Sequence, residues 1–184
     1  MRLCVTISAA FLPLAIGCRD AVSTPPAQYA VYGAVVDALF RDGRAEVAVA
    51  PTSSRWDAAE VLGDTSAMFV ALHDSAGVSR DVWADFERAN RAADPLCDCF
   101  GTPGIRLAVP AVPADSVGPP ATAAGGDRWR PVHLSGVGFN ARGDTALVFA
   151  SQGCGPLCGR SLLLVVARRG RTWGVAQRLL VGAS

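Results

Sequence analysis

Residues 132–181 read VHLSGVGFNARGDTALVFASQGCGPLCGRSLLLVVARRGRTWGVAQRLLV, and the way this stretch is punctuated decides the fold class. Four apolar-rich runs, Val132 to Phe139, Thr145 to Ser151, Ser161 to Ala167 and Trp173 to Val181, are separated by Asn140-Ala141-Arg142-Gly143, by Gly153 to Gly159 and by Arg169-Gly170-Arg171. Those separators have turn composition, and short turns between strands predict an antiparallel meander. Leu162-Leu163-Leu164-Val165-Val166 is continuously apolar, as a central strand covered on both faces would be. Thr145, Leu147 and Phe149 alternate with their neighbours in the manner of a more exposed strand. Arg168-Arg169-Gly170-Arg171 is the densest basic cluster, but its place between two apolar runs makes it a solvated hairpin turn rather than a phosphate site.

Upstream the periodicity is helical. Thr24 followed by Pro25 offers an N-cap and a first-turn proline, and Tyr32, Val35, Val36, Leu39 and Phe40 recur at spacings of three and four before Gly43. Ala45 to Ala50, closed by Pro51, suggests a short strand, while Trp56 to Leu72 is ambiguous between helix and strand. Ser79 caps a second expected helix to about Ala93, with Val82, Phe86, Ala89 and Ala93 on one face, Trp83 extending that face and Asp94-Pro95 ending the helix. Residues 108–127 are rich in Pro, Ala and Gly and read as a surface loop. The expected fold is therefore α+β, with N-terminal amphipathic helices covering one face of a C-terminal four-stranded antiparallel meander.

The N-terminus has another character. Met1-Arg2 gives a positive start, Leu3 to Ile16 an apolar stretch too short for the ~20 residues of a membrane span, and Gly17 precedes Cys18. Cys18 to Gln28 is polar, contains Pro25-Pro26 and can act as a tether of ~30 Å when extended at ~3.3 Å per residue. The organisation expected is a signal peptide at 1–17, a tether at 18–28 and a single α+β domain at 29–184. The 17 basic residues are all Arg, and with Arg2 removed they balance the 16 acidic ones, so the charge footprint of a nucleic-acid binder is missing.

The segment ending in Gly17-Cys18 resembles the signal peptides of bacterial lipoproteins, although Ala15 and Ile16 depart from the Leu and the Ala or Ser usual at those places. The resemblance implies that Cys18 is acylated, that the membrane is a partner through this N-terminal anchor, and that the domain lives in the cell envelope facing the periplasm or the exterior. Arg19 directly after the cysteine, in place of Asp, implies passage to the outer membrane where the host has two. An ordinary signal peptide cleaved near Gly17 is the alternative. The helices ahead of a meander whose last strand opens with Trp173 look like the cystatin-like or nuclear-transport-factor-2-like architecture. Ser135-Gly136-Val137-Gly138-Phe139-Asn140, Ala146-Leu147-Val148, Cys154-Gly155-Pro156-Leu157-Cys158-Gly159 and Trp173 also resemble the C-terminal part of a group of uncharacterised exported bacterial proteins, which implies no particular activity.

Four further cysteines lie beyond the tether, as Cys97-Asp98-Cys99 and Cys154-Gly155-Pro156-Leu157-Cys158, and export favours their oxidation. Of the three pairings, those joining the two segments are expected, because a loop of more than 50 residues restricts the unfolded chain by ~4 kcal/mol. A local Cys154–Cys158 bond is the alternative. Four-thiolate zinc is disfavoured because one residue between Cys97 and Cys99 is below the usual spacing. A redox-active pair is disfavoured because the two-residue spacing of thiol oxidoreductases is missing.

Only His73 and His133 supply imidazole. His73-Asp74 with Asp81 and Asp85 could hold a ligand or act as a base, but reads more simply as a loop and a helix start, where carboxylates favour exposed amides. No nucleophile elbow, phosphate loop or dinucleotide fingerprint is present, and Gly136-x-Gly138 is too common a pattern to count as one. The expected function is a non-enzymatic, lipid-anchored extracytoplasmic binding or envelope-associated protein with no cofactor and no metal, and with a protein or small molecule as its partner. The alternatives are an exported enzyme using the concave sheet face, where His133, Asn140, Gln177 and Arg178 are the candidate ligand-binding residues, and a soluble periplasmic binding or inhibitor module.

Overall fold

Leu162 to Val166 is buried at every position because both faces of its strand are covered. The computed structural model describes residues 26–55, 65–108, 130–155 and 158–183. It is mixed α+β, with helices α1 (Ala27–Leu39), α2 (Thr65–Ala76) and α3 (Arg80–Ala89) among the described residues. Strands β1 (Val47–Val49) and β2 (Ile105–Leu107) form a small parallel pair. The main sheet holds β3 (His133–Leu134), β4 (Gly138–Phe139), β5 (Thr145–Gly155), β6 (Cys158–Arg169) and β7 (Thr172–Ala183). Its order is β3-β5-β6-β7 with β4 also on β5, and every pairing is antiparallel.

Alternate residues of each strand point to opposite faces. Ala146, Val148, Ala150, Leu162, Leu164 and Val166 meet Tyr32, Val35, Val36 and Phe40 of the α1 side. Leu147, Phe149, Leu163 and Val165 meet Leu72, Val78, Val82, Trp83 and Phe86 of the α2–α3 side. The two predicted helices therefore lie on opposite faces of the sheet instead of sharing one. The reason is visible in β5, where Ala146, Val148 and Ala150 between the expected apolar positions are themselves buried, so the strand is covered on both faces like β6.

Two other expectations change, and one left open is resolved in part. The predicted run Val132 to Phe139 is broken into β3 and β4 by a kink at Ser135 to Val137. The ambiguous stretch upstream of Leu72 is helical from Thr65, and it stops at a left-handed Gly77 whose N–H donates to His73 O at 2.9 Å while Val78 N–H donates to Leu72 O at 3.4 Å. The helix after Ser79 ends at Ala89, short of Ala93. Residues 56–64 and most of the predicted loop at 108–127 lie outside the described residues, as do Thr24 and the signal segment. Helix α1 begins at Ala27, within the last residues of the expected tether.

The kink has a chemical cause. Helix α3 lies antiparallel to residues 136–141, and Asp81, Asp85 and Asn90 face that segment about one helical turn apart. Four helical residues advance ~6 Å and two extended residues ~6.6 Å, so the periods match over this length. Asp81 accepts from Ala141 N–H at 2.9 Å, and Asp85 accepts from Phe139 N–H at 2.7 Å. The buried Asn90 amide reads Gly136 on both groups, accepting from its N–H at 2.8 Å and donating to its carbonyl at 3.1 Å. This approach needs glycine: a Cβ on Gly138 would lie 2.3 Å from Phe86 N, and one on Gly136 would lie 2.4 Å from Ala89 O.

Gly138→Ala is expected to cost about 3 kcal/mol, since backbone atoms of α3 would have to move. Gly174→Ala, in open space on β7, is expected to stay within about 0.5 kcal/mol of the parent. Urea midpoints of the two variants measure the contrast, and equal midpoints would dissolve the close-packing argument.

Candidate functional site

On the α1 side a groove of about 440 Å³ opens between three walls. Helix α1 supplies Ala30, Gly33 and Ala34, which share one face at spacings of three and four. Loop 100–102 supplies Phe100, Gly101 and Thr102, and the β6–β7 turn with the start of β7 supplies Arg171, Thr172 and Trp173. The small residues let the loop approach: a Cβ on Gly33 would lie 2.4 Å from Thr102 Oγ1. The volume lies in the range of small-molecule sites. The walls are apolar and aromatic, with Asp37 and Arg171 adding charge, and Asp37 is already paired with Arg41 at 2.6 Å. Such a surface suits a compact, part-apolar molecule whose anionic group reaches Arg171.

The groove rests on an aromatic cluster. Tyr29 and Phe100 meet edge-on with ring centres 5.6 Å apart, and Tyr32 lies 6.5 Å from Phe100. Tyr32 donates its buried hydroxyl to Ser135 O at 2.7 Å, tying α1 to the kink before β4. Burial pushes the Tyr32 phenol well above its ordinary value, with Tyr29 and then Asp94 adding to the rise. On the opposite wall Trp173 packs against Phe139 at 5.8 Å, with Arg168 over its ring.

The four polar residues selected from sequence do not converge. His133 is exposed and pairs with Ser151, whereas Asn140 sits beside Thr145 at the other end of β5, six residues and ~20 Å away along the strand. Asn140 is a turn organiser: it donates to Asp144 at 2.6 Å and accepts from the N–H groups of Asp144 and Thr145. That bond, followed by the attraction of Arg142, holds the Asp144 carboxyl below its usual range. Gln177 pairs with Val165 on the α2–α3 face, and its neighbour Arg178 pairs with Leu164 on the other face, beside Arg160 and Leu180.

His73 closes the end of α2 through Nδ1 to Val78 O at 3.0 Å and stacks on Phe69. Asp81 and Asp85 bind backbone amides of the kinked segment. Hydrogen bonds from Ser79 and then from Ala141 hold the Asp81 carboxyl below its usual range. Among the described residues no three His, Cys, Asp or Glu side chains gather in a metal-binding arrangement.

The cysteines pair locally, Cys97 with Cys99 and Cys154 with Cys158, at Cα separations of 5.3 and 5.1 Å. The expected staple between the two segments is thus replaced by two short rings. The β5–β6 register is the cause on one side, since Gly153 faces Gly159 and Gly155 faces Cys158, which brings Cys154 to its own hairpin partner. Cys97 is held elsewhere, its N–H donating to Tyr29 Oη at 2.9 Å. The groove escaped sequence reasoning because its walls come from three distant segments of small and aromatic residues; only the Ala30, Gly33, Ala34 stripe was a local signal. Comparison with known protein families, curated proteins and solved structures finds no match for this chain.

Tyr32 gives a pH prediction. A phenol whose folded pKa is raised adds stability that is complete below the unfolded value of about 10 and falls as the pH rises above it. The chain has no Lys, so no lysine titrates across that range. Tyr32→Phe is expected to cost about 1–2 kcal/mol at neutral pH through the lost bond to Ser135, and to flatten the loss of stability at alkaline pH. Urea titrations at pH 7, 9 and 11 measure both effects; an alkaline slope unchanged by the substitution contradicts the assignment.

Proposed function

We propose that this chain is a lipid-anchored extracytoplasmic binding domain, held to a bacterial envelope membrane through Cys18, whose ligand surface is the groove between α1, loop 100–102 and Trp173. The observation that carries the binding half of this reading is the groove itself, a recess of ligand size with aromatic walls and Arg171 as an anion partner. The extracytoplasmic half is supported by the leader that ends in Gly17-Cys18 and by the two cysteine pairs at bonding distance, which suit an oxidising compartment. The first described helix starts nine residues beyond Cys18, so a short polar segment separates the attachment point from the folded body. A catalytic reading on the sheet face is less favoured, because His133, Asn140, Gln177 and Arg178 lie on different faces and at different ends of the strands.

One acyl chain binds a membrane only marginally, so the multiple chains of a lipoprotein cysteine are what the anchor requires. Cys18→Ser is expected to move the protein from the membrane to the soluble fraction and to abolish incorporation of labelled fatty acid. A parent protein that incorporates no label, together with a variant that fractionates as the parent does, would refute the anchor.

A further inference from the structure

We propose that Cys97 and Cys99 form a thiol–disulfide exchange site, opened and closed by small thiols or dithiols while the fold stays intact. Three features favour exchange at this pair. It is accessible, as the hairpin pair also is: Cys97 and Asp98 are exposed and Cys99 is half-buried, like Cys158 and Cys154 respectively. It is the smaller of the two rings, with a sequence separation of 2 against 4 for Cys154–Cys158, so closing it removes the least freedom from the unfolded chain. And the loop that carries it is anchored without it.

The anchors flank the ring on both sides. Leu96 is buried and its N–H donates to Pro51 O at 2.8 Å. Cys97 N–H donates to Tyr29 Oη at 2.9 Å, and Phe100 is 4% exposed against Tyr29 and Tyr32. Opening the bond leaves these contacts in place, so the two sulfurs stay near each other and the ring can close again. Protein disulfides that are exposed are the ones that exchange readily, whereas staples resist reduction.

The chemistry balances with a thiol as the only co-reactant. A thiolate attacks Sγ of the exposed Cys97, a mixed disulfide forms, the Cys97–Cys99 bond breaks, and Cys99 leaves as a thiolate that takes a proton from water. A second thiolate attacks the outer sulfur of the mixed disulfide and releases Cys97 as a thiolate, which is protonated in turn. Two thiols are oxidised to one disulfide, and one protein disulfide is reduced to two thiols. The reverse sequence re-forms the Cys97–Cys99 bond and reduces a partner's disulfide to two thiols. Phe100 and Thr102, just beyond the ring, line the groove, so the redox state of the pair borders the ligand surface.

The test uses the exported full chain in detergent, with reduced glutathione as the probe, quenching by alkylation and peptide mass spectrometry. Expected is opening of Cys97–Cys99 at least tenfold faster than Cys154–Cys158, with the near-ultraviolet circular dichroism unchanged at the point where only the first pair is alkylated. Opening no faster than the hairpin pair, or opening only together with loss of the tertiary signal, overturns the proposal, as does recovery of Cys97 and Cys99 as free thiols from the oxidising compartment. A Cys97→Ser, Cys99→Ser double variant separates exchange from folding: a Tm within a few degrees of the parent is expected, and a collapse of the fold would make the pair a staple.

Discussion

Asp81, Asp85 and Asn90 hold the backbone of residues 136–141 from one side of α3, and the arrangement of the main sheet follows from that grip. In most helix-on-sheet packing the contact is side chain on side chain, at a distance set by the thickness of both. Here two glycines remove that thickness, so that the Phe86 backbone and the Ala89 carbonyl lie where side chains would be. The amides of Gly136, Phe139 and Ala141 would otherwise be an open sheet edge, and they find side-chain acceptors on the helix. The segment cannot remain one continuous strand and also present Gly136 to Asn90. It breaks into β3 and β4, and Ser135 fills the break by donating to Gly136 O and accepting from Phe149 N–H.

The grip also decides which face α3 takes. With α3 docked along one edge, Phe86, Trp83 and Val82 reach across Leu147, Phe149, Leu163 and Val165, and the Schellman turn at Gly77 folds α2 back onto the same face. The other face is left to α1. Its C-terminal end is held by cations that suit the negative pole of a helix: Arg160 donates to Leu39 O, pairs with Asp42 at 3.0 Å and lies over the Phe40 ring, while Arg44 donates to Phe40 O. Residues 48–54 then run beside 132–135, through Val132 N–H to Ala48 O and Ser54 N–H to Leu134 O, and extend the sheet past β3.

The legible parts were those with local causes. The uniform apolar run Leu162 to Val166, the turn residues Asn140 to Gly143 and Arg169 to Arg171, and the three-four spacing from Tyr32 to Phe40 each state their structure within a dozen residues. The partition of helices between faces was not legible, because it depends on Asp81, Asp85 and Asn90 meeting amides some fifty residues away. Those carboxylates read as ordinary first-turn acids, and Gly136-x-Gly138 read as a common turn. The cysteines misled for a related reason: a long-range bond would restrict the unfolded chain more and so add more to stability, but the hairpin register brings Cys154 and Cys158 together. The polar candidates His133, Asn140, Gln177 and Arg178 share only a polar residue type, and residue type carries no information about which face or which end of a strand each occupies.

The two faces of the sheet are consequently unequal in what they can do. Where α3 meets residues 136–138, the helix backbone lies against the strand backbone, and a change of one methyl group meets main-chain atoms. On the α1 side the helix presents Ala30, Gly33 and Ala34 toward loop 100–102, and the missing side-chain volume becomes the groove. Its base is fixed by Tyr29 and Tyr32, each of which spends its hydroxyl on a distant backbone group, at Cys97 and Ser135. Small residues of α1 face the recess and hydrogen-bonded tyrosines back its Phe100 wall, while the rim, including Arg171 and the 100–102 loop, is built from turns. Binding there would cost little ordering of the core, which is the condition under which modest contacts yield useful affinity.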